Sequence, residues 1–209
     1  MGTIGGLFLA RLTPQIGGGA HRRRGKWTVT RIQGYAVDCT LEGELSMTED
    51  RLREELNHQD QFVLLKATLT RLTDGSQISL PRVVLNQEEL LAVDGGPMPT
   101  PIADDARGSR RLHTVRHRRR AKVGPYSVVG SIHERPGVAP LGSLRTSSPF
   151  VVFTEARIAY QSGGSTEVRD VPALLVNGRL ISWIGDAAGP ADEPAADHEP
   201  RFTPADAAI

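Results

Sequence analysis

The chain has 209 residues, one cysteine, 39% hydrophobic and 5% aromatic side chains, and a formal net charge of +1. That length holds one domain or two small ones and excludes a large multidomain enzyme. A single cysteine excludes a disulfide framework and a Cys-rich zinc module, and a charge near zero leaves its distribution, not its sum, to be read.

Residues 1–25 read as a flexible, Gly-rich leader that ends in a basic cluster. Its apolar piece, Leu7-Phe8-Leu9-Ala10, is too short for a signal peptide and precedes the charge instead of following it. Leu7, Phe8 and Leu12 are the anchors it offers as a docking segment. No stretch approaches the ~18–20 apolar residues of a membrane span. The expected compartment is cytoplasmic, without integral membrane insertion.

Residues 26–93 form a first patterned unit. From Tyr35 through Val37, Cys39, Leu41, Gly43 and Leu45 the alternation has period 2, which predicts a half-buried strand with Cys39 inward. Ser46 and Glu49 have the spacing of a capping box, and Leu52 and Leu56 share one face, so a short helix is expected within 46–57. Arg51 and Glu55 would pair on its solvated side. A strand follows from Phe62 to near Leu72, then a turn at Asp74-Gly75-Ser76, then two apolar strands across residues 80–93. Residues 94–110, rich in Gly, Pro and Asp, read as a linker, 111–184 as a second patterned unit, and 185–209 as a disordered acidic Pro/Ala tail.

The second unit repeats the first. Tyr126-Ser127-Val128-Val129-Gly130-Ser131-Ile132 matches Tyr35 to Leu41, and the run at Phe150 matches the run at Phe62. Ser162-Gly163-Gly164-Ser165 stands where Asp74-Gly75-Ser76 stands. Residues 171–184 align without a gap on residues 80–93, with Pro172 on Pro81, Asn177 on Asn86 and Ile184 on Val93. Asn177-Gly178 predicts a type I′ hairpin, and Gln87 in place of the Gly predicts a looser turn in the first copy. Between Pro136 and Ser148 the second copy holds prolines and glycines where the first has its helix, so a degenerate turn or a single helical turn is expected. The expected fold is mostly β: two tandem small bent-sheet or barrel units of roughly 65–70 residues, the first with a short inserted helix.

These residues resemble the Sm-like (LSm) domains and, more broadly, small barrels of the SH3 type. Val176-Asn177-Gly178-Arg179-Leu180-Ile181-Ser182-Trp183-Ile184 is similar to the family's second motif, Leu85 to Val93 is a weaker version, and the strands at Phe62 and Phe150 sit where its first motif ends. The family's RNA pocket uses an Asn in the first motif and an Arg-Gly in the second. Here Gln61 or Pro149 precedes the apolar run, and Asn177-Gly178 replaces Arg-Gly. The resemblance therefore implies the fold more than RNA binding.

No HExxH, CxxC, GxSxG or Walker loop is present. His113 and His117 are four apart, but surrounding arginines disfavour a cation. Glu49, Asp50, Glu54 and Glu55 interleave with Arg51 and Arg53 and read as a solvated face. No catalytic, cofactor or metal site is assigned, and the chain is read as non-enzymatic. What remains is charge. Arg22, Arg23, Arg24 and Lys26 precede the first unit. Arg107, Arg110, Arg111, Arg116, Arg118, Arg119, Arg120 and Lys122 precede the second, with no acidic residue among 107–122. Trp27, Tyr35 and Tyr126 are the nearby aromatics, and their alternation implies that all three are at least partly buried.

Two functions follow. The first is a structural or adaptor protein that binds protein partners, or itself, through exposed sheet edges. The alternative is a nucleic-acid-binding protein, phosphate-led and of low sequence specificity, that uses the two Arg clusters. An anionic membrane surface is a third, smaller option for the same charges.

Overall fold

The computed structural model describes residues 28–49, 51–96, 114–134, 136–137 and 148–187. These residues are mostly strand, with one α-helix among them. The chain runs β1 (Thr28–Tyr35), β2 (Cys39–Met47), α1 (Leu52–His58), β3 (Gln61–Arg71), β4 (Gln77–Asn86), β5 (Ala92–Asp94), β6 (Val115–Val123), β7 (Tyr126–Glu134), β8 (Phe150–Ser162), β9 (Ser165–Asn177) and β10 (Ile181–Asp186). All ten strands lie in one antiparallel sheet ordered β10-β6-β7-β8-β9-β5-β1-β2-β3-β4. The sheet is open: β10 and β4 are its two ends, so neither half closes into a barrel. The 1–25 leader, most of the 94–110 linker and nearly all of the acidic tail lie outside the described residues.

The strand order within residues 28–94 is β5-β1-β2-β3-β4, and within residues 115–186 it is β10-β6-β7-β8-β9. Both halves carry the same irregularity. Between Glu42 and Glu44 of β2 the ladder to β3 skips a residue, and between Val129 and Ser131 of β7 the ladder to β8 does the same. The extra residues are Lys66 and Glu155, at φ 49° and 48°. Each is a β-bulge, which bends the strand and sharpens its twist. The glycines opposite make room for it. A Cβ on Gly43 would lie 2.9 Å from the Leu65 carbonyl oxygen, and one on Gly130 would lie 3.1 Å from the Ala156 Cβ. Pro81 and Pro172 fall across from the bulged residues, between the pairs Leu65↔Arg82 and Ala67↔Leu80 and between Thr154↔Ala173 and Ala156↔Val171. A residue without an N–H is tolerated where the ladder is already broken, which accounts for the repeated proline.

Three sequence expectations are corrected by this register. Tyr35 does not match Tyr126. Tyr35 closes β1 and Val37 is exposed in the turn after it, whereas Tyr126 opens β7. The aligned glycines are Gly43 and Gly130, so Cys39 stands in the place of Tyr126. Asn177-Gly178 forms no type I′ turn: Asn177 has φ −71°, and residues 178–180 make a 3-10 turn, as residues 87–89 do in the first half. A hairpin turn requires its flanking strands to pair, but β9 pairs with β8 and β5 while β10 pairs with β6. The capping box is absent, because Ser46 lies within β2 and α1 starts after an extended Arg51 with no side-chain cap.

Glu55 supplies what the cap does not. It is buried, and its carboxylate accepts from the Thr48 N–H (2.8 Å), the Glu49 N–H (2.9 Å) and the Thr48 hydroxyl (3.0 Å). Arg51 pairs instead with Glu54. Burial of Leu56 and partial burial of Leu52 seat the helix on the first core, as their spacing requires. Of the expected turn between Pro136 and Ser148, residues 138–147 lie outside the described residues.

Two cores form, and each borrows from the other half. One gathers Val123, Tyr126, Val128, Phe153, Ile158 and Leu174 with Tyr35, Leu91 and Ala92 of the first half. The other gathers Ile32, Leu41, Leu45, Leu56, Phe62 and Leu64 with Phe150 and Leu175 of the second. The seam between them is the pairing of β5 with β9, Ala92↔Val176, Val93↔Leu175 and Asp94↔Leu174. Tyr35, Tyr126 and Tyr160 meet edge to face there, with ring centroids 5.3–5.9 Å apart. Such contacts add to the burial of the rings themselves. The Tyr126 hydroxyl donates to the carbonyls of Ala36 (2.7 Å) and Cys39 (3.1 Å).

Candidate assembly edges and basic strip

An edge strand offers unpaired N–H and C=O groups to another chain unless charge, proline or a cover prevents it. On β4, residues 77–82 are all exposed and only Val83 and Leu85 turn partly into the core. Ile78, Leu80 and Val84, on the opposite face, are 50%, 39% and 47% exposed. Pro81 and Arg82 are the only residues there of the kind that protects an edge. On β10, Ile181 and Ile184 pack partly on the second core, and Trp183 is 51% exposed. The two ends of the sheet thus carry apolar side chains that the interior seam does not expose.

The basic block of β6 is divided by the period of the strand. Arg116, Arg118, Arg120 and Lys122 occupy one face. Arg119 occupies the other and is buried, with its guanidinium 3.9 Å from the buried Glu134 carboxylate and paired also with Asp186. His117 lies on the same side, 3.9 Å from Glu134. Arg116 donates to the Ser131 hydroxyl (2.8 Å) and pairs with Glu155, and Lys122 donates to the Pro125 carbonyl (3.2 Å). Arg118 is exposed and Arg120 half-buried. Of the sequence-predicted candidates, β6 therefore brings Arg116, Arg118, Arg120 and Lys122 together and turns Arg119 away. Arg22, Arg23, Arg24, Lys26, Arg110 and Arg111 lie outside the described residues, as do Trp27 and His113.

Sequence reasoning missed Trp183. It pairs with Lys122 across the β10·β6 ladder, which puts an exposed indole beside the basic face. Alignment of Ile184 with Val93 was the signal that could have found it, since that alignment places the tryptophan on a last strand beside the first. Tyr35 and Tyr126 are fully buried, as their alternation implied. Burial pushes the Cys39 thiol up to about 12, with Asp38 beside it adding to the shift, so it is not a thiolate at neutral pH.

Among the described residues no helix is long and apolar enough to cross a membrane, and no group of three or more His, Cys, Asp or Glu is placed to hold a metal ion. No protein-family model matches the chain, and no curated protein or solved structure matches it.

Proposed function

We propose that this chain is a non-enzymatic scaffold in which one small β module is written twice, and that it assembles with other protein chains by extending its sheet at β4 and β10. The single observation that carries the reading is the pair of apolar edges at the ends of the ten-stranded sheet. The duplication is supported by the common strand order and by the bulges at Lys66 and Glu155 opposite Gly43 and Gly130. Neither half is self-sufficient, since each core takes in side chains of the other. A module of this kind is completed by a neighbour, and among the described residues each has one at the seam and none at its outer edge. The test is sedimentation velocity of the full chain over a hundredfold concentration range. The sedimentation coefficient should rise with concentration, and Val84→Lys should suppress the rise while leaving the fold intact. A single monomeric species throughout removes the reading.

A second reading is favoured by one observation, the exposed Trp183 beside Arg118, Arg120 and Lys122. Single-stranded nucleic acid is held by basic grooves together with aromatic stacking, and such binding weakens steeply with salt. Filter binding of single-stranded RNA and DNA at two salt concentrations tests it. Affinity that ignores salt, Arg118→Ser and Trp183→Ala would eliminate it.

A further inference from the structure

The chain contains one completed example of the joint that its two ends leave open. At the seam, β9 lies antiparallel to β5 with Ala92↔Val176, Val93↔Leu175 and Asp94↔Leu174. The Asn177 N–H donates to the Leu91 carbonyl (2.9 Å), and the Asn177 side-chain amide donates to the Leu90 carbonyl (3.2 Å). The ladders fix which residues stand in these places at the ends. Trp183, Ile184 and Gly185 face Lys122, Ala121 and Arg120 on β6 as Ala92, Val93 and Asp94 face Tyr35, Gly34 and Gln33 on β1. Leu85 and Asn86 face Phe62 and Gln61 on β3 as Val176 and Asn177 face Val151 and Phe150 on β8.

We infer that β10 of one copy pairs with β4 of the next in the register of the seam, placing Trp183 opposite Leu85, Ile184 opposite Val84 and Gly185 opposite Val83. This inference rests on the assembly reading above and names its partner: a second copy of this chain. Three observations select that occupant. First, Asn86 is the same residue as Asn177, and among the described residues it is exposed, with its side-chain oxygen accepting from the Gln61 amide (3.1 Å). In the joint, its amide meets the carbonyls of residues 181 and 182. Second, the exchange of side chains between cores is reproduced. Val84 takes the place of Leu175, which crosses into the first core, and Trp183 takes the place of Ala92, which crosses into the second. Third, the volumes compensate. Ala92 enters a core that holds Tyr126, and the residue in Tyr126's place in the first half is the much smaller Cys39. A large indole then fills the space that a small alanine leaves to tyrosine, and volume-conserving exchanges are the ones a packed core tolerates. Because β4 meets β10 and not itself, the contact is head to tail and propagates into a closed ring or an open filament.

The experiment mixes two full-length variants, each in a Cys39→Ala background: Gly185→Cys and Val83→Cys. A Cβ at Gly185 meets nothing within 4 Å, so that substitution perturbs little. Under mild oxidation the mixture should give a disulfide-linked dimer, and neither variant alone should. Trp183→Cys mixed with Leu85→Cys provides a second pair in the same register, and reduced samples of all four should keep the parent's circular dichroism spectrum. Chains that associate but cross-link only as like pairs, or in neither mixture, overturn the register while the assembly reading survives. A parent that sediments as a monomer at every concentration overturns both.

Discussion

Asn86 and Asn177 are the same residue at corresponding points of the two halves, each just before a 3-10 turn, yet one is exposed and the other is 2% exposed. The local sequence does not make the difference. Beside Asn177 lies β5, whose approach removes water and offers carbonyls for the amide to satisfy. Among the described residues β3 lies on one side of Asn86 and no strand on the other. The same contrast separates Leu175 from Val84 and Ala92 from Trp183. At these three pairs of positions burial follows whether another strand adjoins, so the two halves serve as controls for each other.

The largest test of that comparison lies on the first strands. Ile32 and Met47 are buried apolar residues in the first half, and the ladders place Arg119 and Glu134 at the same points of the second. Removing one member of a buried ion pair leaves an uncompensated charge, whereas replacing both by apolar side chains is often neutral or better. Arg119→Ile alone and Glu134→Met alone should each cost about 3–5 kcal/mol in urea unfolding, and the double variant should recover most of it. Losses that simply add would show that the pair does not act as a unit.

Next in size is burial along β9 against β4. Leu174→Ala, in a fully buried position, should cost about 2–5 kcal/mol. Val84→Ala should change stability by under about 0.5 kcal/mol when measured at a concentration where the chain is monomeric. Comparable losses at both positions would mean that the β4 edge is covered.

The tyrosines at the seam give a pH dependence. Burial raises the phenols of Tyr35, Tyr126 and Tyr160 above their ordinary value of 10.0. The unfolded chain releases those protons near its ordinary value while the folded chain keeps them. The contribution to stability is therefore complete below pH 10 and is lost as pH rises toward the folded values. Each phenol held neutral steepens the fall by up to about 1.4 kcal/mol per pH unit. Unfolding midpoints measured from pH 9 to 11 should drop, with phenolate absorbance appearing only as the chain unfolds. Phenolate that appears in the folded state would show the seam open to solvent.

The smallest effect belongs to the asparagines. Asn177→Ala removes the donor to Leu90 and the acceptor for the Arg179 N–H, and should cost about 1–3 kcal/mol. Asn86→Ala should cost under about 0.5 kcal/mol in the monomer. Where the chain associates, its cost should rise toward that of Asn177→Ala.

Much of this was legible beforehand. The period-2 strands, the helix seated by Leu52 and Leu56, the turns at Gly75 and Gly163, and the ungapped spacing from Pro81 and Pro172 to the last strands all have local causes. What failed did so for nonlocal reasons. Asn177-Gly178 would favour a hairpin if its flanking strands could pair, but they have different neighbours. Tyr35 and Tyr126 look alike in sequence, but Tyr35 closes β1 and Tyr126 opens β7, and it is the bulges at Lys66 and Glu155 that bring the two halves into a common register. Arg119 sits in an unbroken basic run, and strand parity turns it inward to Glu134.

By itself the sequence determined the elements, because turn residues, alternation and helix spacing act over a few residues. The tertiary structure decided which strands are neighbours. It joined the halves through β5 and β9 and left β4 and β10 at the ends, since edge pairing depends on the relative placement of segments far apart in the chain. For the same reason, equivalent residues became core at the seam and surface at the rim.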